Sequence, residues 1–311
     1  MGTGFQKRSC ATNKYYSSLD IGLSAIRVCA LPPRLPPQDQ FMTRGFLDRP
    51  DCRLYFEAEG SGPTLVFAHG LGGNHLSWWQ QVPHFRDRFT CVTFSHRGFS
   101  PSSAPAGGPD PQAYGDDLAA LIDHLAASDV RIVAQSMGGW GALDYALANP
   151  ARVRALVLAS TGGSMAWPAF PFAEPDRVSR WRRESETASA SLFARGVHPA
   201  GGERMAREQP ALNYLYRAID ALSAGLDKTV LRGRLMAALR HPVGRLRTLG
   251  IPTLWLTGAE DLVFPPFVAD ALAPLMPNAR VACVPAAGHS VYFERATEFN
   301  KIVDEFLAAN N

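Results

Sequence analysis

Three side chains able to do chemistry together stand at one kind of place in the chain. Ser136 lies in Ile132-Val133-Ala134-Gln135-Ser136-Met137-Gly138-Gly139, an apolar strand pattern that runs straight into a helical one. Asp261 follows the apolar residues 253 to 257 through Gly258-Ala259-Glu260, and His289 follows residues 280 to 284 through Ala287-Gly288. A serine at a sharp strand-to-helix turn projects its hydroxyl, and the small neighbours Ala134 and Gly138 allow the close packing such a turn needs. An imidazole can take that hydroxyl's proton, and a carboxylate can orient the imidazole. Singly, each residue has a plainer role: helix cap for Ser136, turn residue for Asp261, solvated loop residue for His289. Their joint arrival past strand ends, in the order Ser, Asp, His, argues against coincidence.

A fourth segment, Phe67-Ala68-His69-Gly70-Leu71-Gly72-Gly73, is again a strand that opens into small residues. Glycines let backbone amides approach a ligand, as an oxyanion hole requires. No G-x-G-x-x-G opens a helix here, so dinucleotide binding is set aside. His69 reads as a brace for this loop, and His75, Trp78 and Trp79 follow it as either pocket or helix-packing residues.

Such residues need a sheet to hold them. Strand-like runs at residues 53 to 57, 64 to 68, 90 to 94, 130 to 134, 153 to 159, 253 to 257 and 280 to 284 alternate with helical patterns at 113 to 125, 137 to 148 and 296 to 308. Alternation of this kind implies a mostly parallel sheet covered on both faces, with ligands at the carboxyl ends of the strands. Residues 161 to 250 break the alternation. They carry no convincing strand and read as several helices separated by Pro and Gly, hence an inserted helical lid. The domain expectation is a leader or disordered extension at 1 to 41, an α/β core at 42 to 160 plus 251 to 311, and a lid at 161 to 250.

Composition excludes several function classes. The 311 residues are 46% hydrophobic and 19% charged, with net charge +3, which suits a globular domain rather than a disordered chain. No apolar run reaches the roughly 18 to 20 residues of a membrane span. The net charge is uneven: residues 161 to 250 hold 14 Lys/Arg against 8 Asp/Glu, residues 1 to 41 hold 5 against 2, and the rest 12 against 18. With no lysine-rich run or zinc-ligand spacing, this basicity does not indicate nucleic acid. It belongs to the lid, whose Arg182, Arg183, Arg232 and Arg234 are expected to be mostly solvated, and it points to an anionic substrate. The five cysteines (Cys10, Cys29, Cys52, Cys91, Cys283) form no C-x-x-C pair; a reducing, cytoplasmic location and no catalytic role are expected.

With these motifs in place, the sequence resembles the α/β-hydrolase superfamily, in particular its lid-bearing esterases, lactonases and meta-cleavage C–C hydrolases. The resemblance covers roughly residues 50 to 160 and 251 to 309. It implies the α/β-hydrolase fold, with Ser136 as nucleophile, His289 as general base and Asp261 orienting it. It also implies the amides of Leu71 and Met137 as oxyanion hole. Gly70, Trp78 and Trp140 are candidate pocket residues from their positions, with helix packing the plainer reading of both tryptophans. No metal or organic cofactor is implied. Ser136 speaks against epoxide hydrolysis and dehalogenation, which use Asp at that position in this group. Ser95-His96-Arg97-Gly98-Phe99-Ser100 departs from the family's D-x-R-G-x-G, which puts the geometry of that turn in question. Glu260 is assigned to the turn, with a mild effect expected for Glu260→Gln. The expected activity is hydrolysis of a carboxylic ester or lactone through an acyl-enzyme. The alternatives are C–C hydrolysis of a vinylogous diketone and a ligand receptor on the same fold. Neither a nucleic acid nor a membrane is expected as partner, and oligomeric state is not legible.

Overall fold

The computed structural model describes residues 42 to 310. The expected leader, Cys10 and Cys29 lie outside them. Eight strands form one sheet: β1 (Met42–Asp48), β2 (Arg53–Glu59), β3 (Thr64–Ala68), β4 (Thr90–Phe94), β5 (Val130–Gln135), β6 (Val153–Ala159), β7 (Thr253–Gly258) and β8 (Ala279–Val284). Their order is β1-β2-β4-β3-β5-β6-β7-β8. The β1–β2 and β2–β4 pairings are antiparallel, and every later pairing is parallel. Seven strands fall where the sequence pattern puts them. The eighth, β1, pairs with β2 alone and is largely exposed, so it lacks the apolar run that reveals the others.

The helices are α1 (Val82–Phe85), α2 (Tyr114–His124), α3 (Gly138–Ala148), α4 (Arg177–Ala194), α5 (Glu203–Glu208), α6 (Pro210–Ala221), α7 (Lys228–Ala237), α8 (Phe267–Leu272), α9 (Val291–Glu294) and α10 (Ala296–Ala308). Because side chains alternate along a strand, β3 sends Val66 and Ala68 to one face and Leu65 and Phe67 to the other. The first face packs against Leu118, Leu121 and Ile122 of α2 and Leu143 of α3. The second packs against Phe85 of α1 and Phe299, Val303 and Phe306 of α10. β5, in the middle, is buried along all six residues, as expected of a strand covered twice. Between β6 and β7 the only α-helices are α4 to α7, and Met165 makes an isolated bridge with His241.

Candidate active site

Parallel pairing of β3, β5, β6, β7 and β8 brings their carboxyl ends to one edge of the sheet, where the loops carrying Gly70, Ser136, Asp261 and His289 emerge. Ser136 follows the last residue of β5 with φ +49°, a left-handed backbone that a non-glycine residue adopts only where its surroundings enforce it. The enforcement is visible on both sides. Its amide donates to the Ala159 carbonyl at 2.9 Å, and a Cβ on Gly138 would stand 2.3 Å from the Ala68 carbonyl oxygen. The β3 loop is equally close: a Cβ on Gly70 would lie 2.0 Å from Gln135 Oε1 and 3.1 Å from Ser136 Cβ. Ala134 replaces the glycine common at its position, but its methyl is accommodated in the core between β3 and β6.

Asp261 and His289 meet. His289 Nδ1 donates to Asp261 Oδ2 at 2.9 Å and approaches Oδ1 at 3.1 Å. The carboxylate is further fixed by the amides of Val263 (2.7 Å) and Phe264 (2.9 Å), both donating to Oδ1. With Asp261 2% and His289 4% exposed, these bonds act out of reach of bulk water and define a tautomer whose Nε2 is left as the acceptor. Gln135 Nε2 donates to the His289 carbonyl at 3.4 Å, joining the histidine loop to the residue before Ser136. Neighbouring Glu260 is occupied elsewhere. Arg204 grips it through Nε at 3.0 Å and Nη2 at 2.5 Å and holds its carboxyl below the usual range.

Among the described residues, no backbone carbonyl takes up the amide of Leu71 or Met137. Both side chains enter a small cluster with Phe99, Tyr114 and Trp140, completed by Leu231 and Leu235 of α7. Beneath the loop, fully buried His69 donates from Nδ1 to the Gly70 carbonyl at 2.8 Å and accepts at Nε2 from the His96 amide at 2.9 Å. It is a neutral brace, with burial pushing its pKa down to about 3. The Ser95 turn holds its shape without an aspartate: Ser95 Oγ donates to the Ser100 carbonyl at 3.1 Å, and Arg97 forks onto Asp117 at 2.6 and 2.7 Å.

Of the two tryptophans named as pocket candidates, Trp78 packs into the core, whereas Trp140 stays beside Leu71 and Met137. Trp78 is fully buried between Phe67 and Tyr292 in the core beneath the sheet, because the turn after the glycine loop carries it to the α10 side. Trp140 braces α7 by donating from Nε1 to the Leu235 carbonyl at 3.0 Å. Residues the sequence did not single out also approach the loops. A Cβ on Gly72 would meet the Tyr216 hydroxyl at 2.7 Å and Asp220 Oδ1 at 3.2 Å, and Glu294 holds the amide of Gly288. Their only sequence signal is a polar group at an otherwise apolar position of a short helix. A cavity of about 760 Å³ runs behind Asp261, between α4, α5 and the loops after β7 and β8.

Residues 63 to 296 match the family model described as the alpha/beta hydrolase fold, and the chain belongs to that family. It is similar to a candidate non-heme bromoperoxidase, BpoC, of Mycobacterium tuberculosis, at 29% identity over 82% of this chain and 98% of that one. It is also similar to haloalkane dehalogenase 2 of Mycobacterium bovis, at 29% identity over 83% of this chain and 91% of the other. Among solved structures, Est816, described as an N-acyl homoserine lactone degrading enzyme, superposes with TM-score 0.68 at 25% identity, covering 84% of this chain and all of that one. Family and neighbours together support a hydrolase.

Proposed function

We propose that the chain is a serine hydrolase that cleaves a carboxylic ester or lactone through an acyl-enzyme. The observation that carries this reading is the buried His289–Asp261 couple, one loop away from a serine held at positive φ. In the proposed cycle, Ser136 Oγ attacks the carbonyl carbon while His289 Nε2 takes its proton. The Leu71 and Met137 amides hold the oxyanion, and the imidazolium then protonates the departing alkoxide. Water, deprotonated by the same imidazole, releases the acid. Asp261 keeps Nδ1–H fixed and favours the imidazolium throughout. General-base help contributes on the order of 10² to 10⁴-fold, and one oxyanion donor about 10² to 10³-fold.

The helices α4 to α7 act as the lid in this reading. Part of the positive charge of this segment is engaged: Arg195 on Glu203, Arg204 on Glu260 and Glu208, Arg240 on Asp144, Lys228 on Asp220, and Arg234 on the Pro109 and Gly107 carbonyls. This favours an uncharged acyl group over the anionic substrate expected from composition. The lactone-degrading description of Est816 supports including lactones in the substrate class. A hydrolysis panel of esters, thioesters and lactones of varied chain length and charge tests the proposal, with Ser136→Ala as blank. Turnover of neutral esters or lactones, lost in the variant, is expected; equal turnover by the variant would overturn it.

A further inference from the structure

The histidine loop has a second carboxyl behind it. Glu294, the last residue of α9, accepts the Gly288 amide on Oε1 at 2.6 Å. Its side chain belongs to a residue only 3% exposed, and its Oε2 is buried with no hydrogen-bond partner. The backbone around it is firmly tied. Gln209 Nε2 donates to the Glu294 carbonyl at 3.1 Å, and Arg295 Nε donates to the Ala286 carbonyl at 3.0 Å. Glu294, Gly288 and Asp261 also line the same cavity. One carboxyl therefore grips the residue next to the imidazole and shares a space with the carboxylate that orients it.

We propose that Glu294 is a positioning residue for His289, acting through the Gly288 amide and, when ionised, adding to the negative potential of Asp261 behind the imidazole. The proposal rests on the serine-hydrolase reading above. Burial raises the Glu294 carboxyl to about 7, against the opposing pull of the Gly288 amide and Arg295, so its charge changes close to neutrality. The charged and titratable groups that face it are Asp261 and Glu260 from the loop after β7, Arg295 beside it and the Tyr216 hydroxyl of α6. Across the cavity stand Arg177 and Arg195 of α4 and its C-terminal end, Glu203 and Arg204 of α5, and Asp270 of α8. An ionised Glu294 favours the imidazolium formed when Ser136 loses its proton, and a protonated one does not.

The test is the pH profile of kcat/KM on an ester that the wild type turns over, measured for wild type, Glu294→Gln and Glu294→Ala. Gln keeps an acceptor for the Gly288 amide but cannot ionise. Its acid limb is expected to move down by about half a pH unit, the order of a nearby screened charge, with KM unchanged. Ala releases the loop, and kcat is expected to fall by up to about 10²-fold, the scale of a small misplacement of a catalytic group, with most of the loss recovered in Gln. An infrared carboxyl band that titrates near neutrality in the wild type and is absent in Gln reports the ionisation without any substrate. If Ala does not fold, the Gln profile and the band decide. An unmoved acid limb in Gln, with Ser136→Ala inactive, overturns the role of Glu294 alone; an active Ser136→Ala overturns the catalytic reading beneath it.

Discussion

At the scale of single residues, neighbours of the same chemical type hold unrelated positions. Asp261 and Glu260 are adjacent carboxylates, yet one is buried on His289 and two amides and the other is paired with Arg204 at the surface. Asp261→Asn is expected to retain the fold but lower kcat by about 10⁴-fold, because the amide favours the wrong imidazole tautomer. Glu260→Gln should stay within about twofold, since an exposed pair contributes little. Steady-state kinetics on one ester distinguishes the two, and comparable losses would contradict the assignment. Gly70→Ala tests the close approach of the loops. Its methyl would collide with Gln135 Oε1, so a destabilisation of about 1 to 3 kcal/mol with loss of activity is expected in denaturant titrations. That Ser136, Asp261 and His289 stand in loops past the ends of β5, β7 and β8 was readable because each of those strands carries an apolar run. Trp78 misled because an aromatic after a glycine loop serves a pocket or a core equally well, and only the turn geometry decides which.

At the scale of elements, the decisive contact is between α7 and the two loops that carry Leu71 and Met137. Leu231 and Leu235 are buried there, 1% and 5% exposed, and share a cluster with both. Leu235→Ala should cost about 2 to 5 kcal/mol if the site cannot collapse, and kcat should fall further than KM rises, since the loops of the proposed oxyanion hole lose their backing. An effect on stability with kinetics untouched would separate α7 from the chemistry. The central strands were legible because a twice-covered strand must be apolar on both faces, as β5 and β7 are. β1 was not legible, since an exposed edge strand needs only one partner and no apolar pattern. The helical character of residues 161 to 250 followed from missing strand signals, but the faces that α4 to α7 turn to the core depend on contacts with distant residues. The pairing of Arg204 and Arg240 was invisible for the same reason, because Glu260 and Asp144 lie far from them in sequence.

At the scale of the whole molecule, buried titratable groups set how stability responds to pH. His69 and His96 are fully buried and neutral, His69 lowered to about 3 and His96 well below its ordinary value, chiefly by desolvation. The unfolded chain takes up their protons below about pH 6.5, so their contribution is complete above that value and is lost as pH falls towards 3. Glu294 runs the other way: raised from 4.5 to about 7, it keeps its proton in the fold while the unfolded chain releases it. Between about pH 4.5 and 6.5 the protons that the unfolded chain gains on these histidines, and on His75 and His198, which burial also lowers, outweigh the one that Glu294 keeps in the fold, so stability should rise with pH. Urea midpoints across that window check the slope, and Glu294→Gln should steepen it. A flat profile would contradict the buried neutral histidines. No helix among the described residues is long and apolar enough to cross a membrane, and the family match covers β3 to β8 and the helices α4 to α7 between β6 and β7. The central claim, that Ser136 is a nucleophile activated by His289, is tested most directly by labelling the intact chain with a fluorophosphonate and locating the adduct by peptide mass spectrometry. One phosphonyl group on Ser136, absent in Ser136→Ala and strongly slowed in His289→Ala, is the result predicted. A wild-type chain that takes no label, or an adduct that persists in Ser136→Ala, would contradict it.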